Sequence, residues 1–271
     1  MIQDPTAMHA PSSARRLLLL APLVLLATGC KLEERVHHYF MKEEAPHEAE
    51  WGYSGAEGPS HWGELSPDYA LASTGRSQSP IDLTGAAHAD LPALEFDYRP
   101  VSVNVVFNGH SIQENESGSS SLTVGGKRFS LEQFHFHSPS EHTIDGRHSP
   151  MEMHLVHKGA DGEVAVVGVM IEAGEENAAL EVLWQNLPTV ENRANRTEMQ
   201  IDVGAVLPAD HDYLHYTGSF TTPPCTEDVR WMMMRQPIQL SKAQIAAFRA
   251  IINNNNRPVQ PLNGRAIESS N

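Results

Sequence analysis

The chain has 271 residues, 40% of them hydrophobic, and a formal net charge of −15. That length suits an export segment followed by one large domain, since single β-rich domains run to roughly 250 residues. The acidity, with no basic stripe to offset it, excludes a nucleic-acid partner, whose phosphates would be repelled.

Residues 1–29 read as a signal peptide. Arg15 and Arg16 supply a positive start, and an apolar run follows from Leu17 to Ala27. The run is too short to span a bilayer and is interrupted by Pro22. It closes on Ala27-Thr28-Gly29-Cys30, which resembles a bacterial lipobox, so lipidation of Cys30 is expected. The protein is therefore expected to be exported, periplasmic or on the cell surface, and anchored to a membrane through that lipid. Cys225 is the only other cysteine and then has no partner within the chain. Residues 30–50 read as a charged spacer, with His37, His38 and His47 as solvated linker side chains.

Residues 51–271 read as one mainly β (α+β) domain, with short apolar or alternating runs separated by Gly, Pro, Asn and Ser. The expected architecture is a large, mostly antiparallel twisted central sheet with a few short peripheral helices. Ser121–Val124 and Lys127–His137 predict two strands joined by a hairpin at Gly125-Gly126. Met151–His157 and Glu163–Ile171 predict another pair, the second apolar on both faces and therefore central. Glu175–Leu187 predicts a helix that stops at Pro188, and Ser241–Ile252 a helix opened by a Ser241–Gln244 capping box.

The segment LEQFHFH (131–137) places Gln133, His135 and His137 on one strand face, with Phe134 and Phe136 on the other. Histidines two residues apart lie about 7 Å apart along a strand, close enough for their rings to converge on one ion. In MEMHLVH (151–157), Glu152, His154 and Val156 share a face. If the two strands are neighbours, His154 completes a three-histidine site with an open fourth position, as a catalytic zinc requires. Gln133 and Glu152 each stand two residues from a ligand, on the face where they can fix its ring orientation. His142, His148 and His157 are assigned to turns or core.

These strings resemble the alpha-class carbonic anhydrases, and the resemblance runs from Trp51 to about Ile267. Its stations occur in order: WGY (51–53), QSPI (78–81), NGH (108–110), QFHFH (133–137), SEHTIDG (140–146), MEMHLVH (151–157), GSFTTPP (218–224), Trp231 and RPVQPLN (257–263). The resemblance implies reversible hydration of carbon dioxide to bicarbonate and a proton, with one Zn2+ on His135, His137 and His154. It implies that Gln133 and Glu152 orient ligands, that Thr221 and Glu141 orient the nucleophile zinc generates from water, and that His110 shuttles the proton. It implies a polar wall of Tyr53, Asn108 and Gln113, where many relatives have Asn at the last position. It also implies a substrate pocket of Val156, Val166, Phe220, Thr222, Val229 and Trp231, with Phe220 standing where leucine is common.

Many bacterial relatives tie a cysteine before the QSPI string to one beside the TTPP loop. Here Cys225 has Ala72 at the other place, so that bridge is absent. A homodimer is compatible with the resemblance. Three other readings are a catalytically inactive binding module, a zinc esterase and a structural zinc protein. The first is disfavoured because all three histidines are present. For the second there is neither a Gly-x-Ser-x-Gly elbow nor a His-Glu-x-x-His helix. The third would need a fourth protein ligand, and Cys225 follows the TTPP loop rather than joining the histidines.

Overall fold

Period-two runs of apolar residues become one mixed sheet of thirteen strands among the described residues. The structure is a computed structural model that describes residues 49–270 apart from 117 and 118. The signal segment, Cys30 and nearly all of the spacer lie outside the described residues. The early strands are β1 (Ala87–His88), β2 (Leu94–Asp97), β3 (Val101–Phe107), β4 (Ile112–Asn115) and β5 (Ser121–Val124). Then come β6 (Lys127–His137), β7 (Thr143–Ile144), β8 (Arg147–His148), β9 (Met151–Gly159) and β10 (Val164–Ala173). The last are β11 (Arg193–Ile201), β12 (Tyr213–Ser219), β13 (Glu227–Met234), β14 (Ile238–Leu240) and β15 (Glu268–Ser269).

The main path runs β1-β15-β12-β13-β10-β9-β6-β4-β3-β11, while β7 and β8 form a separate hairpin. Pairing is antiparallel, as expected, except that β10 runs parallel to β13 and β14, and β1 to β15. The hairpin between β5 and β6 turns on Gly125 and Gly126, both at positive φ (58° and 77°), as a two-residue turn matching strand twist requires.

Two apolar clusters cover opposite faces of the sheet. The larger takes Phe134, Phe136, Met153, Leu155, Val167, Val169 and Ile171. The smaller takes Val166, Met170, Tyr216, Val229, Trp231 and Met233. Strand β10 contributes to both, which explains its unbroken apolar sequence.

The helices are shorter than their periodicity suggests. Glu175–Leu187 is helical only as a 3-10 turn at Ala178–Leu180 and an α-turn at Glu181–Gln185. Its start is held in extended form, because Gly174 N–H donates to Leu240 O and Glu175 N–H to the Gln239 side chain. The second helix has the expected Ser241–Gln244 capping box but spans only Lys242–Arg249. Two further α-helices, Trp62–Leu65 and Leu71–Thr74, have four residues each, too few to leave a periodic signal.

Cys225 is buried and unpaired. In place of a covalent link, hydrogen bonds join its loop to the 72–79 segment. Gln78 Nε2 donates to Cys225 O (3.0 Å), and the Arg257 guanidinium donates to Gln78 Oε1, Ser79 O and Ala72 O at 2.8–3.0 Å.

Glu114 in β4 is fully buried. Its Oε1 accepts from Asn104 N–H (2.6 Å) and its Oε2 has no hydrogen-bond partner. Burial, with Glu116 nearby, pushes this carboxyl up from 4.5 to about 7 against the pull of the Asn104 N–H. The native state therefore holds the proton more tightly than the unfolded chain. The stability this contributes is complete below pH 4.5 and is lost as pH rises through about 7. Glu114→Gln should thus raise Tm at pH 8 by roughly 5 °C and leave it little changed at pH 4. Thermal unfolding at both pH values checks this; an equal shift at both would contradict it.

Candidate metal centre

The antiparallel register of β6 and β9 sets His135 opposite His154 and His137 opposite Glu152. One irregularity, between Leu131 and Gln133, lies upstream of His135 and His137 and leaves their alternation intact. The three rings converge, with centroids 4.6–5.2 Å apart. One nitrogen from each lies within 4.8 Å of the others, and no further His, Cys, Asp or Glu among the described residues joins this group.

The outward nitrogen of each ring is engaged. His135 Nδ1 bonds Gln133 Oε1 (2.8 Å), His137 Nδ1 bonds Asn255 O (2.6 Å), and His154 Nε2 bonds Glu152 Oε1 (2.7 Å). Each acceptor holds a proton on that nitrogen and turns the other lone pair inward. The inward atoms are therefore Nε2, Nε2 and Nδ1. Buried His137 Nε2 has no hydrogen-bond partner in the protein, an orphan that a metal would satisfy. Burial lowers all three pKa values: well below 6.5 for His135, to about 4 for His137, and downward for His154. Neutral imidazoles at neutral pH are what metal binding needs.

Glu152 is the hub behind His154. It also bonds His142 Nδ1 (2.7 Å) and accepts the N–H groups of Glu141 and His142 (2.8 Å each). Burial alone would raise its pKa, but the His142 and His154 rings outweigh this and hold it well below the usual carboxylate range. His142 Nε2 bonds the Tyr216 hydroxyl (2.6 Å), which bonds Ser79 Oγ (2.8 Å). With both nitrogens used, His142 is the core histidine expected. His157 is likewise buried, against Tyr98 (2.7 Å), and His148 sits in the exposed β7–β8 hairpin.

Glu141 reaches the edge of the centre. Its Oε2 stands 3.5 Å from His137 Nε2 and 4.0 Å from His154 Nδ1, and its Oε1 accepts Arg257 N–H (2.8 Å). Burial pushes it up to about 7, against the pull of His154, the Arg257 N–H and the Thr221 hydroxyl. Val166, Val229 and Trp231 are buried in the smaller apolar cluster, with Val156 and Phe220 packed on it and Thr222 half-buried beyond Thr221. The Trp231 ring lies 4.9 Å from that of His154, so this apolar surface borders the histidines.

Gln113 pairs in register with His135 and donates to Asn115 Oδ1 (2.7 Å). The Tyr53 hydroxyl is buried without a hydrogen-bond partner. His110 is half-buried and stacks on Trp51, with centroids 3.7 Å apart and planes 10° from parallel. Asn108, the third residue expected in the polar wall, is exposed. Its Oδ1 accepts His110 N–H (3.0 Å) and Ser111 N–H (2.7 Å), so its carboxamide caps the turn.

Sequence reasoning missed Asn255 and the role of Arg257. Asn255 holds His137 through its carbonyl and bonds Ser138 N–H, Phe136 O and His110 O through its side chain. Asn255 stands in a run of four asparagines that carries no period, and its partners lie more than 100 residues away.

Three imidazoles with oriented rings, joined by no further His, Cys, Asp or Glu among the described residues and bordered by an apolar wall, are the arrangement of metal-dependent enzymes that attack small substrates with activated water. Residues 57–271 match the model of the eukaryotic-type carbonic anhydrase family. A carbonic anhydrase of Pectobacterium atrosepticum is 41% identical over 218 residues, covering 80% of this chain and 89% of that protein. One from Nostoc is 44% identical over 223 residues, covering 80% and 84%. The solved alpha-carbonic anhydrase of Thermovibrio ammonificans, in complex with the inhibitor sulfanilamide, is 44% identical with a TM-score of 0.80, covering 82% of this chain and all of that one. The chain belongs to the alpha-type carbonic anhydrase family.

Gln133→Ala should weaken metal binding by about 10–100-fold while leaving the fold intact, because it frees the His135 ring to rotate. Competition with a chelator, alongside circular dichroism, measures this; unchanged affinity would show that Gln133 does not position the ligand.

Proposed function

We propose that this protein catalyses the reversible hydration of carbon dioxide to bicarbonate and a proton, using one Zn2+ held by His135, His137 and His154. The observation that carries the reading is the buried, partnerless Nε2 of His137 facing two other inward lone pairs. Three neutral nitrogens within 4.8 Å of one another suit zinc. Bound there, the ion would supply a strong nucleophile from water at neutral pH, a property for which carbonic anhydrases are the standard example.

The protein's own groups do the rest. Gln133, Asn255 and Glu152 fix the ring orientations before the ion arrives. Thr221 donates its hydroxyl proton to Glu141, so its lone pairs are what face the centre; the nucleophile then turns its own lone pair toward the substrate. Val156, Val166, Phe220, Val229 and Trp231 receive carbon dioxide, which is small and apolar, and keep bulk water from its carbon. Each turnover leaves a proton to be removed, and water is a poor acceptor for it. His110, a half-buried imidazole, relays it to buffer. Ester hydrolysis would be a side reaction of the same nucleophile. Against an inactive binding module stand the three histidines, each with its orienting partner.

The leader supports export, and the Ala27-Thr28-Gly29-Cys30 string supports a lipid on Cys30 that holds the domain at a bacterial membrane. Labelling with palmitate should mark the wild type and not Cys30→Ser; equal labelling of both removes the anchor.

Stopped-flow hydration of carbon dioxide, before and after chelation and with metal analysis of the same sample, tests the activity. Rate and zinc content should fall together and return together on adding Zn2+. A metal-free sample that still hydrates carbon dioxide would overturn the reading.

A further inference from the structure

His110 has a charged neighbour that the reaction scheme does not use. Asn192 N–H donates to Phe107 O (2.7 Å) and Arg193 N–H to Val190 O (3.2 Å), which fastens the 190–193 turn to the end of β3. Asn108 caps the adjoining turn, and Gly109 takes φ +87° within it. Together these turns lay the Glu191 side chain against Gly109. A methyl group on Gly109 would fall 2.5 Å from Glu191 Oε1 and 3.0 Å from its Cδ. Glu191 is exposed, and no hydrogen bond or ion pair among the described residues engages its carboxylate. One side of the neighbouring His110 ring is closed by Trp51.

Burial lowers the pKa of His110, and Glu191 opposes that lowering. The other titratable groups on the elements around the ring are Glu50 and Tyr53 beside Trp51, Arg193 on the turn, and Arg257 beyond Asn255. Of these and Glu191, Glu191 is the charge that favours protonation of His110. A proton acceptor works best when its affinity approaches that of the donor. A half-buried imidazole without a counter-charge would be too weak an acceptor for a donor that titrates near neutrality.

We propose that Glu191 is a positioning residue for the transferred proton: its carboxylate, held against Gly109, stabilises the protonated ring of His110 and keeps that ring a usable acceptor despite its burial. The proposal rests on the reading of His110 as the shuttle. Glu191 touches neither substrate nor metal, so it affects proton export and not the hydration step.

The test is an NMR titration of His110 in the zinc-loaded protein, for wild type, Glu191→Gln and Glu191→Asp, with His110→Ala to assign the resonance. Glu191→Gln should lower the His110 pKa by about half a unit, the size expected of a solvent-exposed charge. Glu191→Asp should recover most of the shift, and about 1 M salt should shrink it. In weak buffer, kcat of Glu191→Gln should fall roughly two- to threefold with kcat/KM unchanged, since only the proton step has weakened. An unchanged His110 pKa in Glu191→Gln overturns the proposal. The shuttle reading fails separately: His110→Ala would then turn over like wild type in weak buffer, with no rescue by imidazole.

Discussion

The pairing of β6 with β9 is the constraint on which the rest depends. Because strand side chains alternate, a slip of one residue would send His154 into the apolar core and bring Met153 or Leu155 to the metal side. Pairing against Phe134, Phe136, Met153 and Leu155 makes that slip costly, since all four are fully buried in the larger core. Burial of these side chains contributes roughly 1.5–3 kcal/mol each. The hydrophobic face of the two strands thus holds the register that the polar face needs. The irregularity near Gln133 absorbs a mismatch before the first ligand.

On the polar face, the problem is to bury histidines and carboxylates without leaving them unpaired. Glu152 solves most of it. Four donors converge on its two oxygens, and it lies between His142 and His154. A buried carboxylate so surrounded keeps its charge, and its negative field strengthens His154 as a ligand. The chain from His142 through Tyr216 to Ser79 extends the rigidity to the smaller core. His137 Nε2 and Glu141 Oε2, both without hydrogen-bond partners, lie 3.5 Å apart at the centre.

What was legible in the sequence was what strand parity governs. The β5–β6 hairpin, the shared face of Gln133, His135 and His137, and that of Glu152 and His154 all follow from period two over a few residues. Which strands neighbour one another did not follow from any single segment; the order of motifs along a familiar pattern supplied it. Contacts between distant segments stayed hidden. Asn255 reaches His137 across 118 positions, and Arg257 reaches Gln78 across 179. Nothing local distinguishes Asn255 from the other asparagines of its run. The Glu175–Leu187 periodicity overstated a helix because pairing with β14 claims its first turn. The capping of its own turn by Asn108 Oδ1 was not read either, since an Asn-Gly pair signals a turn without saying which backbone groups the side chain satisfies.

Arg257 joins two of these themes. Its guanidinium carries three of the hydrogen bonds that link the 72–79 segment to the domain. Its backbone N–H, on the same residue, orients Glu141. A disulfide would hold the segment independently of the acid beside the metal. Hydrogen bonds from one arginine cannot, because moving the guanidinium with the segment moves the residue that fixes Glu141. The guanidinium stacks over Trp62 and lies wholly buried, so water cannot replace the lost partners. In this chain, then, the order of the segment around Gln78 and the orientation of Glu141 are one mechanical unit. Loosening at the Cys225 loop reaches Gln78 through its bond to Cys225 O, and from there one route to the centre runs through the Arg257 side chain and its own backbone.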